Sequence, residues 1–220
     1  ERSRWHLTQG INTFRQHFGI TPSGCWPSEG ALSDATLTLF AEAGFTWTAT
    51  GNTVLHNSLH APENHEMFEA LQHSAESLHR AYTHSRAPLN VFFRDDGLSD
   101  LIGFQYSTWH ADDAIGDLIQ HMKNIAEQGQ GEEVVISVIM DGENAWEYYP
   151  ENAFHFLSKL YTRLLDEPQL ELTTYSDVGN ATATLNRVVA GSYTKIENAQ
   201  NTVNSLRAKG FSAFIDIYKK

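Results

Sequence analysis

The chain has 220 residues, 41% of them hydrophobic, enough apolar material for a packed core in one generous domain or two small ones. Its formal net charge of -12 excludes the clustered lysines and arginines that phosphate recognition needs, so no nucleic-acid partner is expected. The single cysteine, Cys25, excludes an intramolecular disulfide framework and fits a reducing, cytoplasmic setting. No apolar run approaches the roughly 20 residues of a membrane span, so no membrane partner is expected.

Residues 1–19, ERSRWHLTQGINTFRQHFG, read as an amphipathic helix rather than a signal peptide, and the missing initial Met suggests a fragment. Ser33 caps a helix running to about Ala43, with Leu37, Phe40 and Ala41 on one face and Gly44 as its stop, ahead of the strand-like FTWTAT. Residues from Glu66 to about Tyr82 are helical by composition. Asn90 to Arg94, NVFFR, is a short strand that runs straight into Asp95, Asp96 and Gly97. Asp112 to Gln128 carries Ile115, Leu118, Ile119, Met122 and Ile125 at helical spacing, with Gly129 as a stop. The apolar run EVVISVIM, up to Met140, predicts a strand buried on both faces, ending at Asp141. Phe154, Leu157, Leu160, Tyr161 and Leu164 mark another helix, and Leu170 to Tyr175 another strand. Helices alternating with apolar strands make this an α/β chain built from βα units.

Residues 186–220 differ. They hold six basic and two acidic side chains, a net of +4, against -16 for residues 1–185. RVVAGSY, a helical stretch with Ile196, Ala199, Val203 and Leu206, a stop at Gly210, and FSAFIDIY form a βαβ unit, which places a boundary near Asn186.

In α/β proteins ligands bind at the carboxyl ends of the strands, so polar clusters just past apolar strands are the first place to seek chemistry. Asp95 and Asp96 with Asp100 form one, and Asp141 with Glu143 in DGENAWEYY another. Glu29, in GCWPSEG beside Trp26, is a third. Carboxylates flanked by Trp and Tyr suit a sugar, whose ring faces stack on aromatics while acids protonate, attack or hydrogen-bond its hydroxyls. Acids near strand ends are also commonly helix caps or solvated loop residues, the role expected of Asp34, Asp112 and Asp113. Six of the 11 histidines lie between His56 and His84, at spacings poor for a metal, and are expected mostly at the surface. No metal or other cofactor is expected. His110, beside Trp109, either lines a pocket or precedes the next helix. Cys25 lacks a neighbouring base and is not expected to act as a nucleophile.

Three blocks, GCWPSEGALSDATLTLFAEAGFTWTAT, FFRDDGLSDLIGFQYSTWHADDA and VISVIMDGENAWEYYPENAFHFLSKLY, resemble in order and interval the later sequence regions of glycoside hydrolase family 57. The resemblance covers about residues 1–185. It implies a partial (β/α)7 barrel and a retaining enzyme acting on α-glucan oligo- or polysaccharides, of the α-amylase, amylopullulanase, 4-α-glucanotransferase or branching type. It implies Glu29 as nucleophile and Asp95 as acid/base, with Asp96 as the rival for that role. Asp141, Glu143 and Trp146, with Gly142 and Asn144, match a later pocket motif, and Trp26, Asp96 and His110 join them as substrate-binding candidates. The family's first motif and first barrel strands are absent. Gly51 and Asn52 stand where the family commonly carries acids. The tail after AGSY is similar to the first half of a SPOR domain, which implies a peptidoglycan glycan as a second partner and a periplasmic location.

A retaining mechanism needs two carboxyl groups roughly 5–5.5 Å apart. Glu29 is expected to stay ionised through hydrogen bonds, and Asp95 to be held protonated by the charge of Asp96 and Glu29, with Arg94 pointing elsewhere. The rival readings are a metal-dependent polysaccharide deacetylase, with Asp95 and two histidines around an ion, and a non-catalytic glycan-binding protein.

Overall fold

The computed structural model describes residues 1–64, 77–129, 133–143, 145–178, 183–185 and Asn204. The expected C-terminal βαβ unit and its SPOR-like reading therefore lie outside the described residues, as do His65, His73 and Asn144.

The N-terminal helix α1, Arg2–Phe18, ends on Gly19 at φ 73°, the left-handed cap that glycine adopts without penalty. None of its residues is buried. Leu7 and Ile11 rest against the first core cluster, while Trp5 and Phe18 stay exposed. Strand β1 is only Gly24–Cys25. Helix α2, Asp34–Glu42, starts where expected: the Ser33 hydroxyl accepts the Thr36 amide, so Ser33 rather than Asp34 is the cap. Strand β2 is Trp47–Gly51, and helix α3, Asn52–Leu59, follows it directly. Strands β3, Tyr82–His84, and β4, Ala87–Arg94, form a tight antiparallel hairpin.

A five-stranded sheet has the order β1-β2-β4-β3-β5, where β5 is Ala183–Leu185. β1, β2 and β4 are parallel, with Cys25 opposite Thr48 and Gly51 opposite Arg94. Their carboxyl ends therefore share one edge. One sheet face is closed by α2 and α3: Leu37, Phe40, Val54, Leu55 and Leu59 meet Leu89, Val91 and Phe93 of β4. At roughly 1.5–3 kcal/mol per fully buried aliphatic or aromatic side chain, this cluster does most to hold the sheet in place. On the other face Phe92 and Ala49 meet Trp47, Val135, Ile139, Tyr175 and Val178, with Tyr175 stacked on Phe92 at 4.3 Å.

Beyond β4 the chain turns into the short helix α4, Asp96–Asp100, and then into α5, Ala111–Gln128, and α6, Phe154–Leu165. Leu98, Ile102, Tyr106, Ile115, Leu118, Phe156 and Leu160 make a second core, and the Tyr149 hydroxyl, its pKa pushed up to about 12 by burial, donates to the Ile102 carbonyl at 2.6 Å.

Three expectations are corrected. The helix read from Glu66 to Tyr82 does not reach its end, because Tyr82 and His84 are buried with Thr83 between them, the period-two pattern of strand β3. The apolar run through Met140 joins no ladder among the described residues. Its backbone bonds go singly, Val135 N–H to the His79 carbonyl and the Ser137 carbonyl from the Asp95 N–H. Its side chains still divide by alternation: Val135 and Ile139 meet the sheet, while Ile136, Val138 and Met140 meet the helical core. Leu170 to Tyr175 likewise joins no ladder among the described residues; Tyr175 stacks on Phe92, and a turn tied by Thr174 and Asp177 follows.

Candidate active site on the carboxyl edge of the sheet

Glu29 follows β1 by four residues, in the single turn Ser28–Gly30, with φ 55° and ψ 23°. An L residue pays about 1–2 kcal/mol for this left-handed conformation. The turn is fixed from β2: the buried Thr50 hydroxyl donates to the Gly30 carbonyl at 2.5 Å. Gly30 itself lies at φ 64°, where a Cβ would come within 3.1 Å of the Trp26 ring and 3.4 Å of the Gly51 nitrogen. Trp26 thus covers the base of the turn with one side of its ring and leaves 36% of its surface exposed. Glu29 is exposed and, among the described residues, no hydrogen bond meets its carboxylate. Solvent, not the expected protein donors, faces it.

Asp95 follows β4 directly and is 7% exposed. It caps α4: Oδ1 accepts the Leu98 amide at 2.9 Å, while Oδ2 lies 2.9 Å from Nε2 of His79. Burial alone would push its carboxyl up, but the hydrogen bonds from His79 and Leu98, the His79 charge and the Gly97 amide outweigh it and hold the group below the ordinary carboxylate range. The expected upward shift is therefore corrected. One of its two supposed sources, Asp96, is also spent, because Arg94 Nη1 meets Asp96 at 2.6 Å, Nη2 meets Asp100 at 2.8 Å, and Nε donates to the Ile139 carbonyl at 2.9 Å. Arg94 does point away from Asp95, and it neutralises Asp96 in doing so.

Because Gly51 pairs with Arg94 and Gly30 is tied to the end of β2, the Glu29 turn and the Asp95 turn flank the same strand end. Gly51 and Asn52 lie between them as the start of α3. Asp141 and Glu143 are exposed on the turn that follows the extended segment bonded to Asp95 and Arg94. Trp146 is half-buried in the second core, against Tyr149 and Phe156. His110, 70% exposed at its side chain, is the cap of α5: its Nδ1 accepts the Asp112 amide at 3.4 Å, and Asp112 and Asp113 are in the first turn. Burial pushes the Cys25 thiol up, away from the thiolate a nucleophile requires.

Of the six clustered histidines expected mostly at the surface, His65 and His73 lie outside the described residues and the other four divide evenly. His56 and His60 are exposed, but His79 and His84 are 8% and 3% exposed. The one available signal was the alternation that buries Tyr82 and His84; His79 has the opposite parity and lies before the strand, so nothing in the sequence signalled its burial. Among the described residues no three His, Cys, Asp or Glu side chains come together as ion ligands.

A sequence model of glycosyl hydrolase family 57 matches residues 1–190. No curated protein matches the chain. Among solved structures the chain is similar to the α-amylase AmyC from Thermotoga maritima, with TM-score 0.68 and 12% identity over 94% of this chain and 50% of that one. It is similar too to the 4-α-glucanotransferase from Thermococcus litoralis, with TM-score 0.60 and 16% identity over 93% of this chain and 32% of that one. A family 57 branching enzyme from Thermococcus kodakaraensis, in complex with glucose, has TM-score 0.60 and 14% identity over 89% of this chain and 47% of that one. The chain thus spans between a third and a half of the length of these structures. With the family match covering residues 1–190, the chain belongs to glycosyl hydrolase family 57.

Proposed function

We propose that this chain carries the two catalytic carboxylates of a retaining glycoside hydrolase or transglycosylase acting on α-glucan oligo- or polysaccharides, set on a partial (β/α)7 barrel. The observation that carries the reading is the shared carboxyl edge, with Glu29 and Asp95 leaving parallel strands on either side of β2. The family match supports it, as do the α-amylase, glucanotransferase and branching activities named for the similar structures.

Glu29 attacks the anomeric carbon while Asp95 protonates the leaving oxygen, and a glycosyl ester forms on Glu29. Asp95, now a carboxylate, takes a proton from the incoming water or sugar hydroxyl, which displaces Glu29 with net retention. Water gives hydrolysis and a sugar gives transfer. Trp26 offers a ring face beside the nucleophile, and Asp141 and Glu143 offer exposed hydroxyl acceptors. Asp96 acts through its Arg94 pair, while His110 and Trp146 serve as a helix cap and a core side chain. Residues 1–185 form the catalytic unit and 186–220 a separate one, in a cytoplasmic protein.

Glu29→Gln is expected to abolish turnover of maltooligosaccharides and leave binding intact; unchanged turnover overturns the assignment. Azide is expected to rescue Glu29→Ala with formation of a glycosyl azide. Asp95→Asn and Asp96→Asn are separated by aryl glycosides, since loss of the true acid slows poor leaving groups most.

A further inference from the structure

Asp95 poses a chemical problem. A general acid must hold a proton when substrate arrives, yet Oδ1 accepts the Leu98 amide, which favours the carboxylate, and Oδ2 shares its bond with Nε2 of His79, where the proton can sit on either atom. Asp96 is neutralised by Arg94 and cannot push the proton back. The group in contact that can carry one is His79. The two side chains are 8% and 7% exposed, so their 2.9 Å bond is shielded from water. Both backbones are clamped by one extended segment: the His79 carbonyl accepts from Val135 N–H at 2.9 Å, and the Asp95 N–H donates to the Ser137 carbonyl at 2.8 Å. Among the described residues the charged groups nearest the pair have other neighbours. Arg94, Asp96 and Asp100 face one another, Arg80 acts on the Tyr82 phenol, and Ser137 and Tyr175 behind the pair are uncharged.

We propose that His79 is the proton partner of Asp95: the two side chains share one proton across the Nε2–Oδ2 bond, and His79 returns it to Asp95 when an α-glucan fills the site. The inference rests on Asp95 being the acid/base. Before substrate binds, His79 is imidazolium and Asp95 carboxylate. Substrate removes the last water from the small exposed fraction of a pair already largely withdrawn from solvent, the charge-separated form becomes costlier than the neutral one, and the proton crosses to Oδ2, leaving a neutral imidazole and a carboxylic acid. Asp95 then gives that proton to the glycosidic oxygen as the C1–O bond breaks, its electron pair staying on the leaving oxygen while Glu29 bonds C1. In the second half, the proton of the attacking water or sugar returns through Asp95 to Nε2 as Glu29 departs. His79 touches no reacting atom and is a positioning residue.

His79→Gln keeps a side-chain N–H for Asp95 but has no proton to return. With maltooligosaccharides its kcat is expected to fall about 100-fold, and with an aryl glycoside of good leaving group less than about threefold, because only the former needs the acid. The limb on which kcat/KM falls with rising pH is expected to move to lower pH. Equal losses on both substrates with an unmoved limb would reduce His79 to packing and overturn the proposal. Histidine ¹⁵N NMR of the unsubstituted chain needs no variant to fold: without substrate both ring nitrogens of His79 are expected to carry protons in the pH range of turnover, and a single protonated nitrogen there overturns the proposal. Asp95→Asn separates the two readings. Full activity in that variant sinks the acid/base assignment together with this inference, whereas lost activity beside an unaltered His79→Gln profile sinks this inference alone.

Discussion

Glu29 stands exposed on a three-residue turn after a two-residue strand, in a left-handed conformation, whereas Asp95 follows an eight-residue strand and is buried with both oxygens hydrogen-bonded. The backbone is strained at the first and satisfied at the second. Two carboxylates given different work need different surroundings, and here the difference extends to what each does for the fold. Asp95 stabilises the structure that uses it. Glu29 is a cost that β2 offsets, through the Thr50 hydroxyl on the next carbonyl.

Substitutions at the two positions should therefore move stability in opposite directions, and the largest effect belongs to Asp95→Ala. It leaves the buried Leu98 amide and His79 without their acceptor and removes the cap of α4, for a loss of about 3 kcal/mol by urea unfolding. A loss below about 0.5 kcal/mol, the level of an ordinary surface change, would break the comparison. The same group gives a pH dependence. Its folded pKa is depressed, so its contribution is complete above the unfolded value of about 4 and is lost as pH falls through the folded value. The acid limb of the stability curve should flatten in Asp95→Asn and keep its slope in Glu29→Gln. Equal slopes in all three proteins would mean that Asp95 does not couple to folding.

The long periodic elements were legible because each depends on its own residues: the Ser33 cap with Leu37 and Phe40, and the five apolar positions from Ile115 to Ile125 in α5. So were the acids at the strand ends, since Asp95 follows NVFFR directly and Glu29 follows a Trp-bearing turn. What escaped were features set by distant partners. EVVISVIM has strand composition, but its neighbours are His79, Asp95 and Ser99, each offering one bond rather than a ladder. Tyr175 ends the stretch LELTTY, yet it is Phe92 that its ring stacks on. The direction of the Asp95 shift was hidden for the same reason. Adjacent Asp96 suggested repulsion, whereas the decisive contact comes from His79, 16 residues away in sequence.

The smallest effect expected is a gain. Glu29→Gly relieves a left-handed residue worth about 1–2 kcal/mol and returns part of it through the freer unfolded chain, for a net stabilisation of about 0.5–1 kcal/mol. The urea midpoint should rise with an unchanged slope, since little exposed surface is altered. Glu29→Gln supplies the control, because it removes the carboxylate proposed as nucleophile while keeping a side chain at φ 55°, and its stability should stay within about 0.5 kcal/mol of the unsubstituted protein. Loss of activity in both variants with a stability gain in glycine alone would separate the strain of the turn from the chemistry of the carboxylate. A glycine variant less stable than the glutamine one would mean that the Glu29 side chain itself supports the turn, and the contrast with Asp95 would then be one of degree rather than of sign.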